Sequence, residues 1–119
     1  MISPFLESTL LGACPELRES WQAHRRTFEP VEAPDDRALL DAVRRHVVGL
    51  LVGGRVAEFA RFTRTMERLL GESDPLLEDL LREGLLQPLA ADVAAAGVSR
   101  AHVAPHLGPR TARAWPDAG

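Results

Sequence analysis

The fold of this chain is decided by residues 56–96, which read VAEFARFTRTMERLLGESDPLLEDLLREGLLQPLAADVAAA. Apolar residues recur at helical spacing on both sides of the central GESDP. The first stripe contains Val56, Phe59, Thr63, Met66 and Leu70, and the second contains Leu76, Leu77, Leu80, Leu81, Leu85 and Leu89. Gly71 is expected to end the first helix, and Asp74 followed by proline is a typical start for the second. We therefore predict an antiparallel helical hairpin formed by residues 55–70 and 75–95.

The rest of the chain is divided by proline and glycine into further helical segments, with almost no candidate for a strand. Pro88 predicts a kink or a short break, because its ring would clash with the carbonyl of Gly84. The predicted fold is all-α: a single-domain bundle of five to seven helices over residues 1–119, with a flexible C-terminal tail at about residues 116–119. The hairpin resembles an armadillo or HEAT unit. Because no second copy occurs at a fixed period, an extended solenoid is not expected.

Size and charge limit the classes of function. A chain of 119 residues is long enough for one core, which buries roughly 65% of the surface that the unfolded chain exposes. The formal net charge is −3, which argues against nucleic acid as a partner, since phosphate binding requires a basic surface. The apolar run Val47–Val52 is much shorter than the roughly 20 residues that cross a bilayer. Because no secretory signal is visible, we expect a cytoplasmic protein without a membrane partner.

Acidic residues are concentrated in two stretches. Residues 29–41 and residues 72–83 each carry five carboxylates and one arginine, for a net charge of −4 per stretch. Separate acidic and basic zones on the surface are therefore expected. The candidate residues for binding a partner are Glu72, Asp74, Glu78, Asp79, Glu83, Asp35 and Asp36. Some of these carboxylates could also serve acid–base chemistry or a hard metal ion, but their spacing favours a solvated outer face.

The sequence contains no pattern that predicts catalysis, a cofactor or a metal. His102 and His106 are four residues apart, the spacing of helical zinc ligands, but Pro105 lies between them and no third ligand follows. Surface or capping roles are therefore expected for both. Cys14 is the only cysteine, and as a lone thiol it is expected to be a small buried apolar residue rather than a nucleophile. No glycine-rich phosphate loop and no assignable Ser/His/Asp triad is present.

Three segments resemble a small family of all-helical bacterial proteins of unknown function, several of which are taken to be immunity proteins of polymorphic or contact-dependent toxin systems. The segments are FTRTMERLLGESDP from Phe62, LLREGLLQPL from Leu80 and LGPRTARAW from Leu107. Together the three segments contain 33 of the 119 residues. The similarity lies in an apolar skeleton with a few glycines and prolines, and it carries no catalytic residues.

The resemblance implies a non-enzymatic role in which the chain binds and neutralises a cognate toxin. Many such toxins are basic nucleases, which an acidic surface would attract. A second hypothesis is a helical adaptor or regulator that accepts an apolar helix of a partner in a groove between residues 55–70 and 75–95. A third is a small enzyme or metal-binding protein centred on His102 and His106. The identity of the partner and the oligomeric state stay open.

Overall fold

A computed structural model describes residues 4–26, 36–72 and 74–115. The helices are α1 (Pro4–Ala13), α2 (Leu17–Arg26), α3 (Asp36–Val52), α4 (Val56–Glu72), α5 (Pro75–Leu81), a π-helical segment (Arg82–Leu86), α6 (Gln87–Ala95), α7 (Arg100–Val103), a 3₁₀ turn (Ala104–His106) and α8 (Pro109–Ala114). Residues 75–95 are continuously helical, and within the described ranges no strand is present. The prediction of an all-α fold is confirmed. The predicted tail at 116–119 lies outside the described residues.

Helices α3 and α4 occupy the centre of the bundle. α3 packs against α1, α2, α4, the π-helical segment and α6, whereas α4 packs against α1, α3, α5, the 3₁₀ turn and α8. The predicted hairpin is formed where α4 turns into α5. Beyond that turn the two arms of the hairpin have different neighbours. In the first arm α4 packs against α8, and in the second arm α6 packs against α3. The spine of the fold is therefore the α3–α4 pair rather than the hairpin alone.

One hydrophobic cluster connects all the long helices. The largest side chains that are fully buried in it include Trp21, Phe59, Phe62, Met66, Leu81 and Leu85. The two phenylalanine rings of α4 have centroids 6.4 Å apart. Burying a side chain of this size contributes about 1.5–3 kcal/mol. The predicted stripes thus supply core residues from Phe59 and from Leu81 onward, whereas Val56 and Leu76, at 46% and 83% exposure, lie outside the core and were wrongly assigned to it.

The second arm of the hairpin, residues 75–95, begins with a capped helix and continues past Pro88 through a π-helical segment. The Asp74 side chain caps α5 by accepting a hydrogen bond from the backbone N–H of Leu77 at 2.8 Å. At Gly84, a Cβ atom would lie 3.0 Å from the side chain of Leu40 on α3, so this position needs glycine for close packing. The hydrogen bonding widens over Arg82–Leu86, immediately before Pro88. Instead of a break, the helix continues through a π-helical turn.

Helices α3, α4 and α6 each end close to a glycine, as the sequence predicted. Gly54 and Gly97 adopt positive φ angles of 73° and 83° after α3 and α6, a conformation that glycine tolerates without steric cost. Helix α4 continues to Glu72, one residue past the Gly71 at which the sequence predicted its end. None of the helices in the described ranges is long and apolar enough to cross a membrane.

Candidate functional site

Five of the predicted binding residues form an acidic surface along the turn between α4 and α5 and along the π-helical segment: Glu72, Asp74, Glu78, Asp79 and Glu83. Two of them have structural partners. Asp74 caps α5, and Glu78 forms an ion pair with Arg82 one turn later. The other three are exposed, and no ion pair to them occurs within the described residues. Their carboxylates are therefore available to a partner.

An exposed leucine lies on this acidic surface. Leu76 is 83% exposed, the largest value among the large apolar side chains of the described residues. Asp79 and Glu83 follow it by three and seven residues, which brings the three side chains to one face of the helix. Leu76 was predicted to belong to the core stripe of α5, and that prediction is wrong. The core positions of this helix are taken by Leu81 and the leucines that follow it.

The other acidic candidates are less fully described. Asp36 begins α3, but its side chain is outside the described part of the chain, as is the whole of Asp35. The prediction that these two residues take part in binding therefore stays a prediction.

An apolar groove of about 590 Å³ opens at one end of the bundle. It lies where the end of α3 and the start of α4 face the end of α6 and α7. Val52 and Val56 on its wall are 63% and 46% exposed. The sequence predicted a groove along the faces of residues 55–70 and 75–95, but α3 and α8 pack on those faces. The open groove is instead at the ends of these helices.

His102 and His106 both line this groove. The Nδ1 atom of His102 is 2.8 Å from the hydroxyl of Ser99, the residue that precedes α7. The ring of His106 meets the ring of Phe59 edge-on, with centroids 5.9 Å apart. Within the described ranges, no group of three or more histidine, cysteine, aspartate or glutamate residues is arranged to hold a metal ion. In the described structure His102 therefore contacts Ser99, and His106 packs on Phe59.

Cys14 lies in the turn between α1 and α2 and is 1% exposed. Burial raises the pKa of its thiol to about 12, and the nearby negative charge of Glu16 adds to this effect. A thiol with such a pKa remains protonated at neutral pH. Because the thiolate is the nucleophilic form, Cys14 is unsuited to covalent catalysis in this structure.

A small charged cluster surrounds His46 on α3. Its Nε2 atom lies 3.7 Å from a carboxylate oxygen of Glu16 and makes no hydrogen bond within the described structure. Glu16 also faces Arg55 at 3.6 Å, and Arg55 pairs with Glu58 at 3.1 Å. Burial lowers the pKa of His46, against the opposing effect of Glu16. This cluster connects the α1–α2 turn to the α3–α4 turn.

Sequence reasoning did not identify the role of Glu67, which joins α4 to the start of α8. Its carboxylate accepts hydrogen bonds from the backbone N–H groups of Arg110 and Thr111, both at 3.0 Å, and from the Thr111 hydroxyl at 3.1 Å. Helix α8 is preceded by Gly108, which has no side chain to cap it. A Cβ at Gly108 would lie only 2.3 Å from a Glu67 oxygen. In the sequence, the signal for such a contact is that Gly108, the residue before Pro109, has no side chain that could cap α8.

A second, polar pocket of about 300 Å³ lies beside this contact. Its lining consists of Leu70, Glu78, Arg82, Arg110, Arg113 and Ala114. The charged side chains come from α5, the π-helical segment and α8. The sequence did not predict this pocket, because nearly 30 residues separate the first of its arginines from the other two.

Comparison with known proteins identifies a family of unknown function. No curated protein and no solved structure gives a significant match. A family profile described as "Domain of unknown function (DUF7674)" matches residues 8–117. The match includes the Glu67 contact with α8 and both pockets. Because the profile covers nearly the whole chain, this protein belongs to the DUF7674 family.

Proposed function

We propose that this chain is a protein-binding domain without catalytic turnover, and that it binds its partner through the acidic surface around Leu76. The observation that carries the proposal is the exposure of Leu76, at 83%, on the same helix face as Asp79 and Glu83. A leucine in this position is not used by the core. Burying it against a partner would contribute up to about 1.5–3 kcal/mol.

The carboxylates around Leu76 favour a basic partner. Glu72, Asp79 and Glu83 are exposed, so a partner can approach them without first breaking an ion pair within the described structure. Complementary charge accelerates association and disfavours partners of the wrong sign. An exposed apolar side chain surrounded by carboxylates is therefore complementary to a basic surface that contains an apolar pocket.

We infer an immunity role as the most specific form of this function. Its support is the resemblance of three segments of the chain to bacterial proteins taken to be immunity proteins, together with the charge of the surface. In this role the domain would cover the active site of a toxin, such as a basic nuclease. A rigid α-helical surface would need little rearrangement to bind.

The test is co-expression with the product of the neighbouring gene, followed by co-purification and a growth-rescue assay. In the purified complex, the double substitution Asp79→Asn/Glu83→Gln should slow association and reduce its dependence on salt. Leu76→Ser should accelerate dissociation. Glu19→Gln, an exposed carboxylate on α2, is the matched control and should leave both rates unchanged. Equal affinities for the control and the acidic-surface variants would refute the proposal.

A second candidate function is supported by the apolar groove at the end of the bundle. The exposure of Val52 and Val56 and the volume of the groove suit an apolar helix of a partner, as in an adaptor. The same complex distinguishes the two functions. If Val52→Asp weakens binding and Leu76→Ser does not, the groove is the binding surface and the adaptor function is favoured.

A further inference from the structure

The polar pocket, here called the arginine pocket, borders the acidic surface and shares Glu78 with it, but the proposed function uses none of its arginines. Three arginines and one glutamate line it, together with Leu70 and Ala114. Leu70 and Ala114, at 9% and 4% exposure, contribute the apolar part of the lining.

The three guanidinium groups keep most of their hydrogen-bond donors. Each has five N–H donors, and few of them are used by partners within residues 4–26, 36–72 and 74–115. Arg82 donates to Glu78, Arg110 to Glu67 at 3.3 Å, and Arg113 to the carbonyl of Pro109 at 3.3 Å. The remaining donors are available to a bound group.

Two contacts restrict where these guanidinium groups lie. The guanidinium of Arg110 rests against Gly71 of α4, where a Cβ atom would approach it to 3.2 Å. Arg82 is held by its ion pair with Glu78 on the preceding turn. Donors that are already oriented lose less conformational entropy on binding a ligand than freely rotating side chains do.

The charge of the lining indicates the class of ligand. Three arginines against one glutamate leave a formal charge of +2 on the lining, and Glu67, which contacts Arg110 from beside the pocket, lowers the local charge to +1. A phosphate monoester at neutral pH carries about −1.5 to −2 and three acceptor oxygens. Arginine forks bind such oxygens in a bidentate manner. We propose that this pocket binds a phosphate group, independently of the partner-binding surface around Leu76.

The first test is a titration of the ¹⁵N-labelled protein with inorganic phosphate, with sodium chloride adjusted to hold the ionic strength constant. Saturable shifts should be confined to the amides of the residues that form the pocket: Leu70, Gly71, Glu78, Arg82 and residues 110–114. Shifts that do not saturate, or that are scattered over the surface, would overturn the proposal. Titration with chloride alone provides the baseline for non-specific screening.

Variants then test the geometry. Arg113→Gln and Arg82→Gln should each weaken phosphate binding about tenfold or more, because each removes a charged hydrogen bond. Arg18→Gln on α2, which does not line the pocket, is the control and should bind phosphate normally. If the control loses as much affinity as the pocket variants, the effect is general electrostatics and the proposal is wrong.

Gly71→Ala provides a test that removes no charge. The added methyl should displace the guanidinium of Arg110 by a few tenths of an ångström and weaken phosphate binding, while the thermal midpoint should not fall, because alanine favours the helix. Normal phosphate binding by Gly71→Ala would contradict the placement of Arg110 in the site.

Two further ligands distinguish the source of the phosphate group. Adenosine monophosphate represents a free small molecule, and a peptide containing phosphoserine represents a modified protein. Tighter binding of either than of inorganic phosphate supports the pocket and identifies the source. Failure of all three ligands to bind overturns the proposal and leaves the function of the acidic surface unaffected.

Discussion

Glu67 and Thr111 lie 44 residues apart, and a single carboxylate oxygen of Glu67 accepts hydrogen bonds from both the backbone N–H and the hydroxyl of Thr111. The Thr111 side chain is fully buried. This contact supplies from α4 the cap that α8 lacks in its own sequence.

Replacing Glu67 by glutamine should destabilise the protein by about 1–3 kcal/mol, because one acceptor oxygen is lost and the N–H groups at the start of α8 are left without a charged partner. Urea unfolding at neutral pH measures the effect. Glu83→Gln removes an exposed carboxylate and should change the free energy of unfolding by less than about 0.5 kcal/mol. Equal effects of the two substitutions would show that the contact does not stabilise α8.

The same contact predicts a dependence of stability on pH. Partial burial acts to raise the pKa of Glu67, but hydrogen bonds from Thr111 and Arg110 outweigh it and hold the pKa below the usual 4.5. The stabilisation is therefore complete above pH 4.5 and is lost as the pH falls through the lower pKa of the folded state. Urea midpoints of the wild type and Glu67→Gln should converge over this acidic range. A constant difference down to the most acidic pH would contradict the prediction.

Gly108→Ala should destabilise the protein by about 1–3 kcal/mol, as overpacking does. The backbone angle φ at Gly108 is −72°, which alanine tolerates, so the cost comes from the contact of the new Cβ with Glu67. In a Glu67→Ala background the same substitution should cost less, and a double-mutant cycle measures this coupling. Gly49→Ala on α3, where a Cβ meets nothing within 4 Å, should instead stabilise by about 0.5–1 kcal/mol. Additive effects at Gly108 and Glu67 would refute the contact.

Cys14 should resist alkylation in the native protein. With a pKa of about 12 and only 1% exposure, the thiol is both protonated and inaccessible at neutral pH. Mass spectrometry after treatment with iodoacetamide should detect modification only when urea is added. Rapid labelling of the folded protein would indicate that the α1–α2 turn opens readily.

Two leucines of one continuous helix should differ strongly in their effect on stability. Leu81 is fully buried and Leu76 is 83% exposed. Leu81→Ala should cost about 2–5 kcal/mol, whereas Leu76→Ser should lie within about 0.5 kcal/mol of the wild type. Thermal and urea unfolding measure both. A large loss at Leu76 would mean that this residue supports the fold and is not free to bind a partner.

Much of the fold could be predicted from the sequence because the apolar spacing of α4 and α5 is strongly helical and their ends carry capping residues. The π-helical segment was harder to predict. Pro88 signals a disturbed helix, but the close approach of Gly84 to Leu40, which accompanies the wide turn, comes from a helix more than 40 residues earlier. Likewise, Leu76 matches the apolar stripe of α5, and only the packing of the helices shows that it is exposed.

The sequence by itself determined the helices, the single core and the acidic character of the α4–α5 turn, because helical periodicity depends on residues three and four positions apart. Only the tertiary structure decided which charges meet. Glu67 reaches the start of α8, and Arg82 joins Arg110 and Arg113 in one pocket. Such pairings depend on how helices pack across long separations in the chain, which the local spacing of residues does not encode.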